Sequence, residues 1–232
     1  MKKLLIMNTR LLLLETSGEI CSVCISYDNT VVSLQESKES FSHASEVTLL
    51  IAKALETAGL EMKDLDAVVV SDGPGSYTGL RVGLSVAKGL CFGLDIPMVA
   101  VNSLDALAHF AQANHPDSFC FPMIDARRME VYMRGFDAEM KSIFPVGAVI
   151  LTENTFDEWL PYGKKLVLCG SGVEKSKTLY NGQPFVFMEA VFSSKHLVGL
   201  GLRAFKNKDF VDIASHTPFY LKPPNITMPK KR

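Results

Sequence analysis

The spacing of apolar residues along this chain changes several times between that of a strand and that of a helix. The order of these changes constrains the fold more than any other feature. Three short strand-like runs come first, joined by turns of hairpin length, at residues 11–16, 21–27 and 31–36. Helical and strand-like segments then alternate over residues 42–58, 67–70, 78–94, 98–101 and 103–113. Strands joined by tight turns are antiparallel, whereas strands joined through a helix run parallel. The order therefore predicts a mixed sheet covered by helices.

The same order begins again, less regularly, in the second half of the chain. Strand-like runs occupy residues 119–125, 130–136, 142–151 and 165–169, with a short helix predicted in TENTFDEWL and a longer one at 192–205. This is the layout of a ribonuclease-H-like lobe followed by a reduced second copy. We therefore expect an α/β fold with lobes at residues 1–114 and 115–222 and an extended basic tail at 223–232.

The composition is that of an ordinary globular protein. Hydrophobic residues make up 47% and charged residues 21% of the chain, and the net charge is −1. No overall basic field indicates nucleic-acid binding by the isolated chain. Cys21 and Cys24 lie in an alternating strand pattern that points them to opposite faces, so buried thiols are favoured over a redox or metal pair.

The first residues, MKKLLIMNTR, resemble a signal peptide only superficially. Asn8-Thr9-Arg10 interrupts the apolar run and no small-residue cleavage site follows, which favours an extension before the first strand. No apolar span reaches the roughly 20 residues of a membrane helix, and we expect a cytoplasmic protein.

The stretch DGPGSYTGLR, from Asp72 to Arg81, is a glycine-rich turn between a strand and a helix. Such turns often hold phosphate, but this one lacks the Gly-Lys-Ser/Thr of a P-loop and the spacing of the dinucleotide fingerprint. Pro74 also removes one backbone N–H. A structural turn is favoured over a phosphate site, with Thr78 expected to cap the helix.

The following helix carries an unusual number of glycines. Gly79, Gly83 and Ala87 form one smooth stripe, and Ser85, Gly89 and Gly93 form a second beside it. Because each helical glycine costs about 0.8–1.0 kcal/mol relative to alanine, a close backbone contact is expected in return. That contact is either the protein's own sheet or a helix of another subunit. The second alternative predicts a partner interface formed by Val47, Leu50, Ile51, Ala54, Gly79, Gly83 and Ala87.

Three stretches together resemble the bacterial TsaB (YeaZ) family: GPGSYTGLRVGLSVAKGL, IPMVAVNSLDALA and PMIDARRMEVY. The resemblance runs from about Leu11 to Lys222, ending in TPFYLKPP. It implies a two-lobed fold like that of actin, sugar kinases and heat-shock chaperones. It also implies a non-catalytic subunit that dimerises with the catalytic paralogue TsaD. With the ATPase TsaE, this family supports threonylcarbamoyl transfer to the adenosine next to the anticodon of tRNA.

The resemblance further implies which components the chain lacks. The metal-binding histidine pair of the paralogue aligns with Ser103 and Leu107, so no catalytic metal and no catalytic residue is expected. Although older naming calls the family glycoprotease-like, no protease activity is expected. The isolated chain is expected to form a homodimer and to meet tRNA only through the complex.

A vestigial nucleotide pocket would comprise Glu15, where relatives carry aspartate, together with Asp125, Gly170 and Gly172. It would bind ATP or ADP weakly at most. These residues are also the only support for an alternative function, an autonomous ATP-dependent kinase or carbamoyltransferase of the same superfamily.

Overall fold

The computed structural model describes residues 8–37, 43–180, 182, 184–189 and 192–223. The first half contains strands β1 (Arg10–Glu15), β2 (Ser22–Tyr27), β3 (Thr30–Glu36), β4 (Ala67–Gly73) and β5 (Met98–Asn102), and helices α1 (His43–Ala58), α2 (Tyr77–Leu94) and α3 (Ser103–Asn114). The second half contains strands β6 (Phe119–Asp125), β7 (Glu130–Phe136), β8 (Ser142–Ile150), β9 (Leu166–Cys169) and β10 (Phe185–Met188), and helices α4 (Val173–Ser176) and α5 (Val198–Asn207). Most of the predicted tail, residues 224–232, lies outside the described residues.

The first sheet has the strand order β3-β2-β1-β4-β5. The hairpin strands β1, β2 and β3 pair antiparallel, while β1, β4 and β5, which are joined through helices, pair parallel. The predicted mixed sheet is confirmed.

The second sheet repeats this arrangement. Its order is β10-β9-β6-β7-β8, so the hairpin strands β6, β7 and β8 again lie on one side and the parallel strands on the other. The second lobe is reduced as predicted: α4 has 4 residues where α2 has 18. TENTFDEWL forms turns leading into a short 3-10 helix at Leu160–Tyr162, not the predicted helix. The four residues of β10 were not predicted, since so short an apolar run fits a strand or a buried helical turn equally well.

The two faces of the first sheet are covered by helices from different parts of the chain. Leu12 and Leu14 of β1 pack under α1 and α2, whereas Leu11 and Leu13 face the opposite side. There they meet α5 through Val198 and Leu202. The predicted boundary at residue 115 therefore needs a correction, because α5 belongs by its packing to the first sheet. Conversely, α3 packs through Leu104, Leu107, Ala108 and Ala111 against the second sheet.

Cys21 and Cys24 confirm the predicted strand geometry. Both are fully buried free thiols, in the cores on opposite faces of the first sheet. Burial raises the pKa of each to about 12, so neither is a reactive thiolate. Separately, no helix in the described part of the chain is both long and apolar enough to cross a membrane.

Candidate functional site: the interlobe cleft and the outer faces of α1 and α2

A cleft of about 1030 Å³ lies between the two lobes. Its walls are the turn between β1 and β2, the glycine-rich loop before α2, the turn after β6, the loop after β9 and the last described residues of the chain. The lining includes residues 17–20, 74–78, 124–127, 170–171 and 219–223. The carboxyl ends of parallel strands, where α/β folds bind ligands, thus meet at this cleft.

Asp125 lines the cleft, and its carboxylate is engaged by neighbouring groups of the second lobe. Its Oδ1 accepts hydrogen bonds from Lys175 Nζ at 2.7 Å and from the Arg127 backbone N–H at 2.6 Å. Lys175 thus forms an ion pair with Asp125 within the second lobe, and its Nζ also donates to the Glu130 carbonyl at 3.0 Å. This network fixes the turn between β6 and β7.

Glu15 does not line the cleft, contrary to its predicted place in a nucleotide pocket. Its side chain is 1% exposed and accepts hydrogen bonds from the Ser17 backbone N–H at 2.6 Å and from Ser71 Oγ at 2.7 Å. Burial raises the pKa of this carboxyl, and the hydrogen bonds from Ser17 and Ser71 offset part of that effect. The carboxylate thus tethers the ends of two strands inside the first lobe.

The two glycines after β9 are explained by packing. Gly170 has φ +100°, and a Cβ there would lie 2.5 Å from the Met123 carbonyl oxygen. A Cβ at Gly172 would lie 2.9 Å from the Met123 Cβ. Gly170 lines the cleft, whereas Gly172 does not. Close approach to β6 therefore requires glycine at both positions without any ligand.

The glycine-rich loop turns into α2 against the β1–β2 turn. The Ser76 backbone N–H donates to the Ser17 carbonyl at 2.7 Å, and a Cβ at Gly75 would lie 2.5 Å from the same oxygen. Ser76 Oγ caps the helix by accepting from the Gly79 N–H at 3.2 Å. The prediction that Thr78 is the cap was wrong, because the helix begins at Tyr77.

The stripe of Gly79, Gly83 and Ala87 faces the protein's own sheet. A Cβ at Gly79 would lie 2.0 Å from the Thr16 carbonyl oxygen, and one at Gly83 would lie 2.2 Å from Thr16 Oγ1. Ala87 is fully buried in the same core. Of the two predicted alternatives, own-sheet packing is the one that the structure has.

The apolar residues of α1 in the predicted interface also face the protein's own core. Val47, Ile51 and Ala54 are buried in that core, and Leu50 packs partly buried against it. The predicted interface set therefore lies on the inner faces of the two helices, where its side chains are not available to a partner.

The opposite, outward sides of these helices carry apolar side chains in solvent. We call Leu49, Ser85, Gly89, Phe92 and Gly93 the outer face. Leu49 is 68% and Phe92 81% exposed, and a Cβ at Gly89 or Gly93 would meet nothing within 4 Å. Sequence reasoning found the Ser85–Gly89–Gly93 stripe but missed Leu49 and Phe92. In the sequence, Leu49 and Phe92 can be recognised as apolar residues that lie outside the buried apolar stripe of an amphipathic helix.

The positions matched to the paralogue's metal ligands are interior. Ser103 and Leu107 of α3 are 0% and 1% exposed, and Leu107 packs against the second sheet. Among the described residues, no group of three or more His, Cys, Asp or Glu side chains is arranged to hold a metal ion.

The repeated lobes and the cleft between them first define a class: an α/β protein of two ribonuclease-H-like lobes. Component A of (R)-2-hydroxyglutaryl-CoA dehydratase from Acidaminococcus fermentans shares this fold, with a TM-score of 0.52 at 11% identity over 87% of this chain and 99% of that one.

Comparison of sequences narrows the class to a family. The model of the family described as "TsaD: tRNA N6-adenosine threonylcarbamoyltransferase" matches residues 37–221. The chain is 38% identical over 125 residues to the tRNA threonylcarbamoyladenosine biosynthesis protein TsaB of Haemophilus influenzae, covering 54% of this chain and 52% of that protein. The chain thus spans only about half the length of such curated relatives.

A solved structure extends the similarity to nearly the whole chain. A Pseudomonas aeruginosa protein, described as similar to peptidase YEAZ, superposes with a TM-score of 0.80 at 25% identity, covering 92% of this chain and 100% of that one. The chain belongs to the family that the matching model describes, in its TsaB (YeaZ) branch.

Proposed function

We propose that this chain is a non-catalytic partner subunit of a tRNA-modifying enzyme. In this proposal it pairs in the cytoplasm with the catalytic paralogue TsaD. With the ATPase TsaE, the pair transfers a threonylcarbamoyl group to the adenosine next to the anticodon of tRNA. Family membership and the printed function of the TsaB relatives support the reaction class.

The observation that carries the pairing is the outer face of α1 and α2. Burying a phenylalanine or leucine side chain lowers the free energy by about 1.5–3 kcal/mol relative to leaving it exposed. Leu49 and Phe92 are exposed in the isolated chain, so a partner that covered them would be stabilised by this burial. The open Gly89 and Gly93, on the same helix as Phe92, would let a neighbouring helix approach α2 closely. A partner helix would cover both features at once, and the isolated chain would cover them by pairing with itself.

Three features support an accessory rather than a catalytic role. Serine and leucine occupy the positions of the paralogue's metal ligands. Glu15 is turned into the first lobe instead of toward the cleft. The net charge of −1 gives little electrostatic attraction to tRNA. We therefore propose at most weak ATP or ADP binding, and contact with tRNA only within the complex.

The pairing is tested with Phe92→Ser and the matched control Ile150→Ser. Both replace an exposed apolar side chain, 81% exposed on α2 and 66% exposed on β8. Light scattering and co-purification with TsaD should show loss of self-association and of paralogue binding for Phe92→Ser only, while its circular dichroism spectrum stays that of the parent chain. Retention of both interactions by Phe92→Ser, or equal loss in both variants, would contradict the proposed surface.

A further inference from the structure

The chain after α5 crosses from the first lobe to the second with little regular secondary structure. It starts on the edge strand of the first sheet, where the Val211 backbone N–H donates to the Met98 carbonyl at 3.0 Å. Farther along, the Phe219 N–H donates to the Asp72 carbonyl at 2.7 Å, next to the last residue of β4. These backbone contacts tie the segment to the first lobe.

The first lobe is shaped to receive this segment. Gly73 has φ +118°, and a Cβ there would lie 2.7 Å from the Phe219 carbonyl oxygen, so both conformation and space require glycine. The ring centres of Tyr77 and Tyr220 lie 4.8 Å apart. The Arg81 guanidinium lies 5.1 Å from the centre of the Tyr77 ring. Residues 219–220 therefore pack in a specific position on the first lobe beside the cleft.

The other end of the segment is held by the second lobe. Lys222 Nζ donates to Glu130 Oε1 at 2.6 Å, and Glu130 is the first residue of β7. Glu130 directly follows the turn that the Asp125–Lys175 pair fixes, and its carbonyl accepts a hydrogen bond from Lys175 Nζ. Between its two anchors, the stretch 219–223 forms part of the cleft wall.

The contacts that hold the segment to the first lobe are stronger than those that hold it to the second lobe. Backbone hydrogen bonds and a glycine-shaped seat hold the first-lobe end. Among the described residues, the ion pair of Lys222 with Glu130 holds the second-lobe end, with side chains 45% exposed for Lys222 and 21% for Glu130. Solvent-exposed pairs of this kind are weak and are screened by salt. The second-lobe anchor is therefore the one that can release.

We propose that residues 219–222 form an interlobe clasp. With Lys222 paired to Glu130, the clasp bridges the cleft and limits the separation of the lobes. When the pair breaks, the lobes separate and the cleft opens to solutes. The clasp does not depend on the proposed pairing through α1 and α2, which uses other residues.

Pulsed electron paramagnetic resonance distances test the clasp directly. Spin labels at Glu19→Cys and Glu174→Cys report across the cleft, because Glu19 lies in the β1–β2 turn and Glu174 in α4, and both line the cleft. Every native cysteine is buried, which makes labelling selective. We expect one narrow distance distribution in the labelled parent chain and a longer, broader one after Lys222→Glu.

Charge reversal provides the control. The double variant Lys222→Glu/Glu130→Lys should restore the narrow distribution, and Lys63→Glu, which breaks the exposed pair with Glu61 in the first lobe, should leave it unchanged. The hydrogen exchange of the Phe219 amide should stay as in the parent chain in both variants, because the first-lobe anchor persists when the ion pair breaks. Unchanged distances in Lys222→Glu, or no rescue by the double variant, would overturn the clasp.

Discussion

At the scale of single residues, the positions that family resemblance marks for nucleotide chemistry serve the structure of the protein itself. Glu15 holds Ser17 and Ser71 inside the first lobe, and Asp125 holds Lys175. The sequence could place both residues at strand ends, because a charged residue follows each apolar run. It could not tell which way either carboxylate points, since that depends on partners distant in sequence such as Ser71 and Lys175.

Asp72, next to the clasp, gives a pH-dependent prediction at this scale. Burial raises the pKa of Asp72 from 3.8 to about 6, with further contributions from Asp105 and Glu15. The lowered pKa of His216 keeps its imidazole neutral at pH 7, so the 3.5 Å contact between the two side chains is not an ion pair there. Because the folded chain holds this proton more tightly than the unfolded chain, Asp72 costs stability as the pH rises from about 4 to 6.

Asp72→Asn should remove that cost. In urea unfolding, the free energy of unfolding of the variant should rise relative to that of the parent chain between pH 4 and 6. The difference should reach about 3 kcal/mol above pH 6, because the pKa of Asp72 is raised from 3.8 to about 6 and one pKa unit corresponds to about 1.36 kcal/mol. A variant-minus-parent difference that stays flat with pH, or that falls as the pH rises, would contradict a buried Asp72 charge.

At the scale of elements, the period of the sequence predicted most strands and the long helices, but not which side of α2 meets which neighbour. Two small-residue stripes run along that helix, and both satisfy the spacing expected for a close contact. Only the three-dimensional position of Thr16 shows that Gly79 and Gly83 face the sheet while Gly89 faces outward. The residues of the predicted interface therefore lie on the sides of α1 and α2 that face the protein's own core.

Two alanine substitutions in α2 separate these faces. Gly79→Ala places a methyl group against the Thr16 carbonyl oxygen and should cost about 1–3 kcal/mol of stability. Gly89→Ala enters open space and should gain up to about 1 kcal/mol from helix propensity. Chemical denaturation of the two variants measures both effects. The same sign of change in both would show that the assignment of faces is wrong.

At the scale of the whole molecule, the duplication of a mixed sheet was predictable because hairpin and helix spacings recur in the same order. The exchange of helices between the lobes was not. In α5, Val198 and Leu202 form an ordinary apolar stripe that fits either sheet, and only long-range packing places them under β1. The clasp was equally hidden, because TPFYLKPP has no periodicity and its partners Asp72 and Glu130 are far away in the sequence.

We propose that the chain supports threonylcarbamoyl transfer without performing it. The most direct test measures the threonylcarbamoyl-modified adenosine formed in tRNA by TsaD and TsaE with a threonylcarbamoyl donor and ATP, with and without this chain. We expect efficient modification only when the chain is added, none from the chain without TsaD, and loss of stimulation by Phe92→Ser but not by Ile150→Ser. Modification by the chain alone, or equal modification by TsaD and TsaE without it, would contradict the account.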